Sequence, residues 1–145
     1  MKCLIQRVKE AKVLINKKLH GQINQGLLVF ICAEPDDTEA TVKKAVDKLL
    51  NLRIFSDTEG KMNLSLKQIN GGLLVVSQFT LAADTGRGNR PSFINAAKPE
   101  LGELLYNKFL AYAKSSHSEV ASGAFGADMQ VHLINDGPVT IPMAF

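Results

Sequence analysis

The chain has no tryptophan, two cysteines, three histidines and five prolines in 145 residues, and the scarcity of cysteine and histidine removes classes of protein. Cys3 and Cys32 sit in separate apolar stretches with no CxxC spacing. That argues against a disulfide scaffold or a zinc module and reads as two buried thiols. His20, His117 and His132 are far apart, with no HxH or HExxH pattern, so no metal site is expected. There is no GxSxG around any serine and no GKS or GKT after a glycine-rich loop, which leaves out the common hydrolase elbow and the P-loop. No apolar run approaches the roughly 20 residues a membrane helix needs. The start, Met1-Lys2-Cys3-Leu4-Ile5-Gln6-Arg7, is charged too early for a signal-peptide core, so a cytoplasmic protein is expected. Seventeen Lys plus Arg against fourteen Asp plus Glu leave a net charge of +3, which permits a local basic patch without arguing for nucleic acid.

The length suits one domain spanning residues 1–145. Cys3–Val8 and Lys12–Ile15 read as short strands, Asn16–Lys18 as a turn, and His20–Ile23 as a segment pairing back across it. Leu27–Cys32 and Leu73–Val76 are continuous apolar runs, the pattern of strands buried on both faces. Val42, Ala45, Val46, Leu49 and Leu50 recur at helical spacing after a cap at Asp37 or Thr38. Lys43, Lys44 and Lys48 fall on its opposite, solvated face. Pro99 opens a second helix, to about Ser115, with Leu101, Leu104, Leu105, Phe109 and Tyr112 as its apolar side. Short strands are expected at Arg53–Phe55, Glu119–Ala121 and Met129–Ile134, with a turn at Gly137-Pro138. The expected fold is α/β but mostly β: a small, barrel-like curved sheet covered by two helices.

Polar residues concentrate where the second buried run ends, at Ser77-Gln78-Phe79-Thr80-Leu81. Buried polar groups must find partners or cost about 1–3 kcal/mol each, so this is a satisfied corner or the floor of a site. The irregular stretch that follows, Ala82 to Asn95, carries Arg87 and Arg90 among glycines, and loops of that length tend to be functional or disordered. A serine or threonine nucleophile needs a base and a group orienting it. No histidine stands in a context that suggests this, yet Ser77 or Thr80 as nucleophile stays open at this point.

Several motifs occur together in order: Gln6-Arg7-Val8, Gly26-Leu27-Leu28-Val29, Arg53-Ile54-Phe55-Ser56-Asp57, Gly60-Lys61-Met62-Asn63, Ser77-Gln78-Phe79-Thr80-Leu81, Arg90-Pro91-Ser92-Phe93 and Asn135-Asp136-Gly137-Pro138-Val139-Thr140. In this the chain resembles the D-aminoacyl-tRNA deacylases over essentially its whole length. Asn24 and Cys32-Ala33 depart from the commoner family pattern without touching the two signature motifs.

The resemblance implies a homodimeric carboxylic ester hydrolase without metal or cofactor. Its substrate would be a tRNA whose 3′-terminal adenosine carries a D-amino acid or glycine, including glycyl-tRNA mischarged on tRNA-Ala. It further implies a site at the dimer interface. Ser77, Gln78, Phe79 and Thr80 would line one side, and Gly137-Pro138, joined by a cis peptide, would reach in from the other subunit. L-amino acids would be rejected sterically, and the RNA 2′-OH would assist the hydrolysis.

Overall fold

A computed structural model describes residues 1–145. Eight strands and three helices follow in the order β1 (Lys2–Ile15), β2 (Lys18–Ile23), β3 (Gly26–Cys32), α1 (Glu39–Asn51), β4 (Phe55–Ser56), β5 (Met62–Leu64), α2 (Leu66–Ile69), β6 (Gly72–Ser77), α3 (Pro99–Ser116), β7 (Val120–Ser122) and β8 (Gln130–Ala144). The main sheet runs β2-β1-β3-β6-β7, and β8 also pairs with β1. Most pairings are antiparallel, but β3–β6 and β6–β7 are parallel. Each parallel step needs a long crossover, and α1 and α3 lie in those crossovers. The two ends of the strand path meet, with Gly21 of β2 packed against the Ser122 backbone of β7. That contact curls the sheet into a nearly closed barrel.

The two buried runs behave as their composition requires. Leu27, Val29 and Ile31 of β3 and Leu73 and Val75 of β6 face a layer shared with α1 and α3. Leu28, Leu74 and Val76 point the other way, into a smaller core inside the curved sheet with Val8, Ala11, Val13 and Ile23. The edge between these layers is crossed by β1. Cys3 and Ile5 belong to the helix-side core, whereas Val8, Ala11 and Val13 belong to the inner one. The switch is made by register shifts around Val8, where Lys9 and Glu10 both lie exposed.

The sequence splits β1 in two at these charged residues, and the structure corrects this: the strand continues through a bulge. Likewise β8 does not stop at Ile134 but resumes after a bulge at residues 136–139. Thr38, rather than Asp37, opens α1, its N–H donating to Thr41 Oγ1 at 3.1 Å. The short α2, capped by Ser65 Oγ accepting from the Gln68 N–H at 3.3 Å, has no counterpart in the sequence reading. In α3 the buried face is Leu105, Tyr106, Phe109 and Ala113, and Leu104 is exposed. Residues four apart stack on one face, and Leu104 falls off that row.

Candidate active site

The parallel strands β3 and β6 end side by side, and a cleft of about 390 Å³ opens beyond their carboxyl ends. Crevices outside the carboxyl ends of parallel strands are the usual place for ligands in such sheets. Ile31, Cys32 and Ala33 continue from β3, and Ser77, Gln78 and Phe79 from β6. Phe93, Ala96 and Ala97 close it from the long loop, with Pro99, Gly102 and Tyr106 on α3 opposite.

The strand β6 ends at Ser77, and Phe79–Ala82 form a single 3-10 turn. The first bond of the turn runs from the Leu81 N–H to the Gln78 carbonyl at 3.1 Å. The amides of Phe79 and Thr80 precede it, so the turn supplies them no acceptor. Two adjacent N–H groups thus stand at the start of a helical turn beside the cleft. The Gln78 amide N–H₂ donates to Thr80 Oγ1 at 2.6 Å, which ties two of the signature side chains together. Phe79 is 58% exposed and meets Phe93 edge-on, with ring centroids 5.0 Å apart.

Two buried groups hold the floor. The Tyr106 hydroxyl donates between the Val75 and Gly123 carbonyls, at 3.1 and 3.0 Å, and burial pushes its pKa up to about 12. The Cys32 thiol lies 3.5 Å from the Phe79 carbonyl and 3.3 Å from that of Ala33. Burial, then the nearby Glu34 charge, raises its pKa, so it stays a protonated donor bracing the 3-10 turn rather than a nucleophile. No histidine, aspartate or glutamate lines the cleft. His117 is engaged elsewhere, its Nε2 2.6 Å from the Gly71 carbonyl. Neither Ser77 nor Thr80 therefore has a base at hand.

Gly137 and Pro138 do not line this cleft. They form the exposed tip of the β8 bulge, joined by a cis peptide. Gln6 pairs with Thr140 and Val8 with Asn135, so two steps along β1 face five along β8 and the surplus loops out. Asn135 staples the loop. Its Oδ1 accepts from the Val139 N–H at 2.7 Å, and its Nδ2 donates to Thr140 Oγ1 at 2.8 Å. From below, the buried Arg7 donates from Nε to the Asp136 carbonyl at 2.8 Å and from Nη1 to the Ile54 carbonyl at 2.6 Å.

The sequence motifs contain Arg7, but nothing in a lone Gln-Arg-Val triplet says that its guanidinium lies under Gly137. The only signal is a charged residue inside an apolar strand. Arg7→Lys keeps the charge but not the two-pronged grip. We expect it to lower stability by about 1–3 kcal/mol, read as a shifted denaturant midpoint at unchanged slope. A wild-type midpoint would show that the two carbonyls do not depend on the guanidinium.

Known proteins share this chain's sequence and fold. The model of the D-Tyr-tRNA(Tyr) deacylase family matches residues 4–144, and the chain belongs to that family of enzymes. A D-aminoacyl-tRNA deacylase of Pseudomonas fluorescens (strain Pf0-1) is 62% identical over 140 residues, covering 97% of each chain. One from Aromatoleum aromaticum is 57% identical over 143 residues, covering 99% of this chain and 94% of its own. Among solved structures, one described as c-Myc DNA Unwinding Element Binding Protein superposes with a TM-score of 0.95 at 38% identity, covering 100% of this chain and 99% of its own. A structure described as a probable eukaryotic D-amino acid tRNA deacylase shares the fold, with a TM-score of 0.86 at 21% identity over 98% of this chain and 97% of its own.

Proposed function

We propose that residues 1–145 act as one deacylase domain, working as a homodimer in the cytoplasm. It hydrolyses the ester between a D-amino acid, or glycine, and the 3′-terminal adenosine of tRNA, glycyl-tRNA-Ala included. The observation that carries this reading is the cleft itself, which is lined by Ser77, Gln78 and Phe79 at the start of the 3-10 turn and by no histidine, aspartate or glutamate. An aminoacyl ester is already labile, so positioning and an oxyanion hole suffice to speed its hydrolysis. Those amides, with the Gln78 side chain, receive the developing oxyanion, and the ribose 2′-OH assists the attack of water. Ser77 and Thr80 shape the platform.

Gly137 and Pro138 of the partner subunit complete the cleft as a backbone wall. Their exposure and the staples beneath them suit a part built for another chain. A wall of backbone leaves no room for an L side chain, so selectivity is a clash rather than a favourable contact. Glycine has nothing to clash and passes.

The test is incubation with matched D- and L-aminoacyl-tRNA. D-substrates and glycyl-tRNA are hydrolysed and L-substrates survive. Survival of both sinks the activity; equal cleavage of both sinks the wall. Ser77→Ala and Thr80→Ala lose far less than the roughly 10⁶-fold that deleting a serine nucleophile costs. A trapped acyl-enzyme on either residue would overturn the 2′-OH-assisted route.

A second reading is favoured by the structural likeness to a protein described as binding a DNA unwinding element: a non-catalytic nucleic-acid-binding barrel. It predicts binding to nucleic acid with both aminoacyl esters left intact.

A further inference from the structure

We propose that the loop from Asp84 to Asn95 is a phosphate-binding rim that steadies the single-stranded 3′ end of the RNA beside the cleft, with Arg87 and Arg90 as its cations. The proposal rests on the deacylase reading and adds where the RNA backbone is held.

Three features point to it. First, the loop is anchored to the site and not merely near it. Asp84 and Ser92 form an antiparallel bridge, with N–H···O bonds of 2.7 and 2.9 Å, and Phe93 packs on Phe79 of the platform. Second, the two arginines are exposed and have no carboxylate within ion-pair distance. Lys2, Lys43, Lys61 and Lys108 are each paired with a glutamate, whereas Arg87 and Arg90, like Lys44, Lys48 and Lys98, are not. The only acid in the loop, Asp84, already accepts the Gly86 N–H at 2.9 Å, which turns the chain at the base of the tip. The tip therefore carries two exposed arginines, three residues apart in the chain, without an ion-pair partner.

Third, chain length keeps Arg90 near the cleft mouth. Arg90 stands three residues before Phe93, so the two backbones are at most about 10–11 Å apart. A cation held that close to Phe93 flanks any strand leading into the cleft. The planar guanidinium fork matches phosphate oxygens in two-pronged fashion. The aromatic pair Phe79–Phe93 at the cleft mouth adds a surface on which a base can stack, the usual companion of a basic track for single strands.

The experiment compares wild type with R87A/R90A and R87E/R90E on two substrates, a D-aminoacyl-tRNA and the same D-aminoacyl ester on adenosine alone, which has no phosphate. On tRNA, R87A/R90A should raise KM roughly five- to tenfold at low salt with kcat unchanged. Its log–log dependence of kcat/KM on salt should be shallower by about 1.4, the loss of two phosphate contacts on a single strand. R87E/R90E should be weaker still. On the adenosine ester all three proteins should match. Equal losses on both substrates would show that the loop acts on the cleft and overturn the proposal, as would an unchanged KM on tRNA. Anisotropy with a short single-stranded RNA that ends in adenosine and carries no amino acid keeps the two readings apart. If wild type cleaves neither ester, the deacylase reading fails. The rim then stands only if R87A/R90A binds that RNA five- to tenfold more weakly, and unchanged binding rejects it.

Discussion

Gly137→Val is expected to reduce hydrolysis of D-aminoacyl-tRNA by on the order of 10²-fold or more, the scale at which a small displacement of a positioning group is felt. Gly137 has φ +141, a conformation that side-chain-bearing residues rarely adopt. A Cβ built there would come within 2.8 Å of Val139 Cγ2, 3.0 Å of Arg7 Nη2 and 3.1 Å of the Val139 nitrogen. Nothing in the cleft is blocked within the same chain, because Gly137 does not line it. The clash instead falls on the staples. The Arg7 guanidinium must shift, or the Val139 N–H must move off Asn135 Oδ1. Either shifts the wall presented to the partner. Backbone strain of this kind costs about 1–3 kcal/mol, which leaves most of the protein folded. Single-turnover deacylation beside a thermal melt separates the two effects. A folded variant with turnover within about tenfold of wild type would place Gly137 away from the chemistry.

Gly26→Ala is expected to have the larger effect on stability. Gly26 opens β3 and pairs with Gly72 at the start of β6. An added Cβ would lie 1.9 Å from the Gly72 carbonyl oxygen and 2.7 Å from its carbon and nitrogen. The obstacle is backbone on a neighbouring strand, so no rotamer change relieves it. The strands must separate at the point where both cores begin. A cost of more than about 4 kcal/mol follows, a large part of the 5–15 kcal/mol that holds a typical domain together. A fall of Tm by roughly 10 °C or more, or loss of soluble protein, is the expected result. A Tm within about 2 °C of wild type would mean that β3 and β6 are not this close.

Much of this framework is legible in the residues themselves. Leu27–Cys32 and Leu73–Val76 announce doubly buried strands, and the 3.6-residue spacing of Val42 to Leu50 announces α1. The boundaries that fail share one cause. Lys9-Glu10 and Asn135 to Val139 look like strand breaks, because a bulge puts polar or turn-forming residues in mid-strand. Only the partner strand reveals that the ladder resumes. The 3-10 turn at Phe79–Ala82 hides in the same way, since a strand's apolar pattern runs on through Phe79 and Leu81. At the site, the platform residues stand out as polar groups ending a buried run. Arg7, Tyr106 and Phe93 reach their places through folding, and no spacing along the chain foretells that Arg7 will grip a carbonyl at residue 136.

The long pairing of β1 with β8 also sets a timetable for synthesis. Lys2 is registered with Ala144 and Leu14 with Gln130, so the first strand made waits for the last. At the ~5–20 residues per second at which chains are made, the wait for Ala144 is about 7–30 s. During it β2 and β3 can occupy one side of β1, since both follow it at once in the chain. The other side keeps its row of free N–H and C=O groups, the kind of open edge that recruits strands from neighbouring chains. A nascent chain stalled before residue 130 would carry both buried runs and an uncapped strand, and would be a ready substrate for chaperones.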